Sequence, residues 1–248
     1  MLIGVTERGD PAFDTSWIQR LSSVDGAIII TKHITDAIRN VLLTSSTPCI
    51  LHCTCTGWGG SWMEPNVPNP RVQLGALKEL FNSGFPPERV VLRIDPIIPI
   101  EEGLRRASGV LDYCADHDIN ISRVRISVYD NYPHARERIL RSSGMAIYGG
   151  SFQAPYESKM SVIEALERYP YTFETCAEDI LSTTSSKFIV RGCVSSVDIR
   201  TLGLSTGDMS AYENGQGRAG CHCLTCKKEL LNTKRRCPHG CLYCYWKD

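Results

Sequence analysis

Short apolar runs recur along the chain, separated by longer stretches in which apolar residues return every three or four positions. Residues 2–6, 27–31, 50–56, 90–94, 124–128 and 171–175 are rich in Val, Ile, Thr or Tyr and predict strands. Between them, residues 14–21, 35–43, 71–82, 101–117 and 156–168 predict helices, with a shorter one over 134–141. In the 71–82 stretch Val72, Leu77 and Leu80 or Phe81 fall near one stripe, and Gly84 supplies a stop. Six strands alternating with helices predict an α/β protein with a parallel sheet joined by right-handed crossovers. The repeat, roughly 25 to 45 residues per unit, fits a partial (β/α)6 barrel with six units rather than eight.

Each predicted strand ends in polar or reactive residues. Thr6-Glu7-Arg8 follows the first, Thr31-Lys32-His33 the second and Thr54-Cys55-Thr56 the third. Arg93 and Asp95 close the fourth, Tyr129-Asp130-Asn131 the fifth and Glu174-Thr175-Cys176 the sixth. Chemistry in α/β barrels collects at the carboxyl ends of the strands, so these positions predict an active-site face. From Thr183 onward the alternation fades. Residues 182–186 form a polar linker, and residues 214–217 with Gly220 form another loop. The expected organisation is a partial barrel over residues 1–182 and a cysteine-rich segment over 183–248.

Composition narrows the class. The chain has 248 residues, 42% hydrophobic and 22% charged, enough for one globular domain with a core of its own. No apolar run of about 18 residues predicts a membrane helix, and Glu7 and Arg8 follow the first apolar run too soon for a signal peptide. A cytoplasmic protein is expected. The 27 basic and 27 acidic residues cancel, so the overall field selects no partner. From Asn214 onward, however, seven basic residues (Arg218, Lys227, Lys228, Lys234, Arg235, Arg236 and Lys247) face two acidic ones. That excess suits an anionic partner, or offsets the negative charge of metal-bound thiolates.

The twelve cysteines carry the chemistry. Six fall in the last 28 residues: Cys221, Cys223, Cys226, Cys237, Cys241 and Cys244. Without a secretion signal, clustered thiols read as metal ligands rather than as a disulfide framework. Cys237-Pro-His-Gly-Cys241-Leu-Tyr-Cys244 is C-x3-C-x2-C. Three thiolates can hold three irons of a 4Fe–4S cluster and leave the fourth open for the amino and carboxylate groups of S-adenosylmethionine. Gly240 suits the tight loop, and Tyr243 would lie beside the adenine. A second reading pairs Cys223-x2-Cys226 with Cys241-x2-Cys244 as a zinc ribbon, which with its basic flanks could bind nucleic acid without catalysis.

A broader resemblance covers nearly the whole chain. It is carried by Thr6-Glu-Arg-Gly-Asp-Pro-Ala-Phe13 with Trp17, Ile30-Thr-Lys-His33, Thr56-Gly-Trp-Gly59 leading to Glu64-Pro65, and Leu92-Arg-Ile-Asp-Pro-Ile-Ile-Pro99. Cys176-Ala-Glu178, Gly192-Cys193, Cys221-His-Cys223 and the final CPHGCLYCYW complete it. With these the sequence resembles a family of domain-of-unknown-function proteins with a radical S-adenosylmethionine-type cysteine cluster at the C-terminus. The Arg-x-Asp-Pro-Ile segment is similar, more distantly, to spore photoproduct lyase-like enzymes. Two positions depart from the family pattern: Gly9 stands where threonine is usual, and Cys226 where serine is usual, which makes Cys226 an unneeded ligand. The resemblance implies a radical S-adenosylmethionine enzyme fed electrons by a ferredoxin or flavodoxin-type partner, acting on a nucleobase or nucleotide. It also implies that Cys176, Cys193, Cys221 and Cys223 hold a second 4Fe–4S cluster or a zinc ion.

Other residues take roles by position. Lys32, an ammonium at a strand end, suits the carboxylate of S-adenosylmethionine. Arg93 and Asp95, two apart on a strand, share a face and can pair to orient substrate. Glu7, with Arg8 and Asp10, occupies the loop after the first strand, where the radical superfamily usually carries its cysteines. Glu64 sits in a covering loop and Glu174 closes the sixth strand. His33, His52 and His239 read as packing or hydrogen-bonding residues, and Trp58 and Trp62 as a lid, a stacking surface or plain loop. Cys49 and Cys114 read as buried small hydrophobes, and Cys53 and Cys55 as facing the barrel interior. For catalysis the tail must fold back so that Cys237, Cys241 and Cys244 meet the mouth lined by Lys32, Arg93 and Asp95.

Overall fold

The computed structural model describes residues 1–206, 221–231 and 237–246. Eight strands form one sheet: β1 (Ile3–Val5), β2 (Gly26–Thr31), β3 (Cys49–Thr54), β4 (Val90–Ile97), β5 (Val124–Val128), β6 (Phe173–Thr175), β7 (Phe188–Val190) and β8 (Lys227–Glu229). Their order across the sheet is 7-6-5-4-3-2-1-8, and every pair is parallel. Sequential neighbours thus lie side by side from β1 to β7, while β8 adds to the free edge of β1. The helices are α1 (Asp36–Thr44), α2 (Pro70–Asn82), α3 (Glu101–Asp116), α4 (Pro133–Ser143), α5 (Tyr156–Leu166), α6 (Asp179–Thr184) and α7 (Ser196–Thr201). A 3-10 helix, Thr15–Ser23, joins β1 to β2.

Local chemistry explains the boundaries. Thr35 caps α1 by accepting from the Ile38 N–H, and Asn69 caps α2 by accepting from Arg71, with Pro70 at the first helical position where its missing N–H is harmless. Ser195 and Asp198 form a reciprocal capping box on α7. Along the strands, side chains alternate between two cores. Ile29, Leu51, Cys53, Leu92, Ile94 and Ile126 face the helix layer, packing against Leu77, Leu80, Val110, Leu111 and Val162. Ile3, Val5, Ile28, Ile50 and Val91 face the other way and are covered by Ile199 and Leu202, together with Val194, Leu224 and Cys226. A third cluster at the carboxyl ends joins Trp58, Met63, Ile98, Tyr129 and Ile139 to Cys241 and Tyr243.

Two expectations are corrected here. The α/β class with a parallel sheet stands, but the sheet has eight strands rather than six, with β7 and β8 as its two edges. The alternation also continues beyond Thr183, because β7, α7 and β8 all lie there and the sheet crosses the boundary expected near residue 183. Both extra strands are three residues long, too short for a period-two pattern to stand out. Among the described residues no helix is long and apolar enough to cross a membrane. Of the basic tail, Arg218, Lys234, Arg235, Arg236 and Lys247, like the loop at 214–217 with Gly220, lie outside the described residues.

Candidate functional site

At the carboxyl ends of the strands opens a cavity of about 550 Å³. All six strand-end groups singled out in the sequence contribute to its wall, through Glu7, Lys32, Thr54, Arg93 with Asp95, Asp130 and Cys176. Cys193, Cys221 and Cys223 line it too, as do Cys237, Cys241 and Cys244. The two cysteine sets, far apart in sequence, therefore share one space. The described end of the chain folds back to the carboxyl ends of the strands.

The loop bearing Cys237, Cys241 and Cys244 is fastened from three sides. His239, buried between the first two cysteines, places Nε2 2.9 Å from Asp10 Oδ2 and Nδ1 3.1 Å from the Asn66 carbonyl. The Asp10 carboxylate also accepts from Thr31 Oγ1 at 2.7 Å and from the Lys32 and Ala12 N–H groups. Burial raises its pKa, but these bonds, with His239 foremost, outweigh that and hold it below the usual value. On the second side the Leu242 N–H donates to the Met63 carbonyl at 3.0 Å. On the third, the Arg138 guanidinium gathers the carbonyls of Leu242, Cys244 and Trp246. Gly240 sits at φ +64, the left-handed region that favours glycine, and the nearest atom to a Cβ there is 3.5 Å away. Burial, the largest influence on both, pushes the Cys237 thiol up to about 11 and Cys241 up to about 12.

Lys32 is not a free cation. Its ammonium donates to Glu64 Oε1 at 2.9 Å and to the Tyr243 hydroxyl at 2.7 Å, and lies over the Tyr243 ring. Tyr243 in turn donates to Glu64. Burial acts to lower the lysine pKa, yet Glu64, the largest opposing influence, leaves it raised. Tyr243 is buried and tied by its hydroxyl, so the residue expected beside an adenine anchors the loop. Arg93 and Asp95 pair as expected of neighbours on one strand face, and Ser127 donates to the same carboxylate. Glu7 pairs with Lys227 of β8 at 2.7 Å.

The second cysteine set lines the same cavity. Cys193 Sγ is 3.7 Å from Cys176 Sγ, and the Cys193 N–H donates to Cys223 Sγ at 3.1 Å. Bonds from Cys176 and Cys223, with Arg93 and Arg125 nearby, hold the Cys193 thiol well below its usual range although burial pushes it up. Beneath these thiols sits a buried charge network that the sequence did not announce. Arg125 and Arg123 both bind Glu174, Arg123 reaches Asp198, and Arg191 also donates to Glu174. Burial raises the Glu174 pKa, but Arg125, Arg123 and Arg191 bring it to about 2. His52 lies in the same layer, buried, with neither ring nitrogen hydrogen-bonded. An alternation of polar with apolar positions in β5, Arg125 and Ser127 among Val124, Ile126 and Val128, was the available signal for this layer.

The remaining cysteines sort by environment. Cys49 and Cys114 are buried in the helix-side core, and burial pushes both thiols up to about 12. Cys53 and Cys55 lie in that same core rather than in the interior face expected of them, because Leu51, Cys53 and Cys55 share the face opposite to His52 and Thr54. Cys226 packs among Ile3, Val5 and Leu224, whereas Cys241 lies in the cluster at the strand ends, so the four cysteines of the ribbon spacing do not group. Trp58 is buried, with the Arg106 guanidinium 4.4 Å from its ring, and serves packing. Among the described residues no three His, Cys, Asp or Glu side chains already converge as a bound ion would have them.

A family model described as Domain of unknown function (DUF1848) matches residues 9–246. The chain belongs to this DUF1848 family. The match begins in the turn after β1 and runs past the final cysteine, so the cavity and both cysteine sets lie within the family's domain. Comparison with curated proteins and with solved structures returns no match.

Proposed function

We propose that this DUF1848 protein is a radical S-adenosylmethionine enzyme whose cluster is held by Cys237, Cys241 and Cys244. The observation that carries the reading is the placement of this three-cysteine loop over the carboxyl ends of a parallel sheet, facing the cavity that Lys32, Arg93 and Asp95 line. Strands 1 to 7 in sequential order with all chemistry at one end are also what a partial barrel uses. The residues fit the group by their chemistry: three thiols on one glycine-bearing loop, with Cys241 close enough to Cys237 and Cys244 for their charge to act on it, and no fourth protein ligand from the motif. When bound, such a cluster supplies the electron that cleaves S-adenosylmethionine to a 5′-deoxyadenosyl radical.

The chain's own contribution is positioning. Asp10, Met63 and Arg138 fix the loop, so that the thiols are presented without further ordering. Loading must displace the thiol protons of Cys237 and Cys241, which burial keeps on at neutral pH. Lys32 offers one ammonium to an incoming carboxylate, in exchange for its bond to Tyr243 or Glu64. Arg93 and Asp95 face the same space for the substrate. Tyr132, Tyr245 and Trp246 put aromatic faces on the wall, which suits a planar ring such as a nucleobase or nucleotide.

Anaerobic reconstitution with iron and sulfide tests the reading. The expected product is brown, carries four irons at this site, changes its spectrum when S-adenosylmethionine is added, and releases 5′-deoxyadenosine when reduced. Replacing Cys237, Cys241 and Cys244 by Ala should abolish the spectral change and the release. A colourless protein that holds zinc at these three cysteines would overturn it.

A further inference from the structure

We infer that Cys176 and Cys193 form a redox-active dithiol, which closes to a disulfide by exchange with a low-molecular-weight disulfide of the glutathione class admitted by the cavity. The inference stands apart from the radical reading of the C-terminal loop. The two thiols are already in contact: Cys193 Sγ donates to Cys176 Sγ at 3.7 Å. Their backbones leave adjacent strands. Thr175 of β6 pairs with Val190 of β7, and the Arg191 N–H extends the ladder to the Thr175 carbonyl at 2.9 Å. Neighbouring strands lie about 4.8 Å apart, inside the range of about 4.4–6.8 Å that the Cα atoms of a disulfide span. Bonding then needs the sulfurs to approach to about 2.05 Å, which rotation of the two side chains supplies without moving either strand.

The chain around the two thiols holds them in that contact. A Cβ on Gly192 would meet the His222 carbonyl oxygen at 2.3 Å and the Cys223 nitrogen at 2.6 Å, so only glycine lets the backbone before Cys193 lie this close to its neighbour. The Cys193 carbonyl accepts from Arg125 Nη1 at 3.2 Å, and the Cys193 N–H donates to Cys223 Sγ at 3.1 Å. Ala177 adopts φ +59, a left-handed conformation that costs a non-glycine residue free energy and turns the chain directly after Cys176. Access then separates this pair from other thiols. Cys176 and Cys193 are half-buried on the cavity wall, whereas Cys223 is buried, and Cys49, Cys53, Cys55, Cys114 and Cys226 lie in the cores. In the exchange one thiol of the pair, as its thiolate, attacks a sulfur of the small disulfide and expels one small thiolate. The other loses its proton, attacks the mixed disulfide and expels the second. Two electrons pass to the small disulfide, two protons leave the pair, and one sulfur–sulfur bond is exchanged for another.

Peptide mass mapping tests this in full-length protein equilibrated at graded ratios of reduced to oxidised glutathione, quenched in acid and alkylated. The expected result is a peptide pair that joins Cys176 to Cys193 and is lighter by two hydrogens. It should grow with the oxidised fraction and revert when reduced glutathione is added, while Cys49, Cys53, Cys55, Cys114 and Cys226 stay free of glutathione. Cys176→Ser should lose the link and leave a stable glutathione adduct on Cys193, which the unaltered protein resolves; Cys193→Ser should do the same on Cys176. The link itself is read in unaltered protein, so it decides even where a substitution disturbs folding. No link at any ratio overturns the proposal, as does one that joins either residue to Cys221 or Cys223 instead. Thiols that react only after a chelator has stripped a metal from them overturn it too. Cys237, Cys241 and Cys244 take no part in the link, so the S-adenosylmethionine response of the C-terminal loop stands or falls separately.

Discussion

Glu64 and Lys32 illustrate how much a single buried pair fixes. Glu64 is 1% exposed and Lys32 17%, and the Tyr243 hydroxyl bonds to both. Removing one charge of such a pair strands the other in a place where water cannot reach it. Glu64→Gln is expected to destabilise the fold by about 3 kcal/mol, read as a lower urea midpoint, and to loosen the cysteine loop. An unchanged midpoint would mean that Lys32 turns to solvent at no cost. The sequence put Lys32 and Glu64 on the page separately, at a strand end and before a proline, but nothing in a linear reading joined them. The same holds for Asp10 and His239, whose contact depends on a chain reversal more than two hundred residues long.

Glu174 belongs to the same scale and gives a pH dependence with a definite sign. Its pKa is lowered from 4.5 to about 2, so the folded state holds the ionised form more tightly than the unfolded chain does. The stabilisation is therefore present above about pH 4.5 and is lost as pH falls toward 2. A shift of this size corresponds to about 3 kcal/mol. Acid unfolding followed by circular dichroism should steepen over that window, and Glu174→Gln should flatten it while lowering stability at neutral pH. If the two acid profiles are parallel, the guanidinium network does not carry the effect.

At the scale of elements, the predicted strands and helices met their counterparts within a few residues, because each is an apolar run or stripe long enough to show its period. The helix over 71–82 is α2 with one residue added, and the strand over 124–128 is β5 without change. What stayed hidden were β7 and β8, each only three residues long, and β8 gains its place from neighbours rather than from propensity. β8 reads Lys-Lys-Glu, as unpromising a strand as composition allows. It is held because the Ile3 N–H donates to the Cys226 carbonyl at 2.7 Å, the Leu230 N–H donates to the Val5 carbonyl at 2.8 Å, and Leu230 is fully buried against Gly4. Truncation after Thr206 is therefore expected to leave an aggregated or molten chain instead of a self-sufficient domain. It removes the buried side chains of Leu224, Leu230 and Leu231, at about 1.5–3 kcal/mol each, which rivals a typical total stability. A cooperative thermal transition in the truncated chain would count against this.

For the whole molecule, the side of the sheet on which chemistry sits was legible, since six strand ends carried reactive residues and all six reach the cavity. The gathering of two cysteine sets around that one cavity was legible only in part. Spacing told which cysteines are near each other along the chain; the register of β8 on β1 decides which are near each other in space. Cys226 shows the difference: its spacing from Cys223 suggests a ligand pair, and its burial beside Ile3 and Val5 makes it core.

That β1 is completed by β8 also sets a schedule for synthesis. β1 leaves the ribosome well before β8, and its outer edge lacks the partner it has in the folded sheet until that segment, more than two hundred residues later, emerges. Until then the edge is open to any strand that passes, and the chain must carry seven-eighths of a sheet without closing it. Pulse-labelled amide exchange during refolding should find the Ile3 and Leu230 amides gaining protection in the same late phase, since each bonds across that seam. Under the proposed function the thiols of Cys237, Cys241 and Cys244 would meet iron only after this seam has formed, so loading would follow the closure of the sheet and cannot template it.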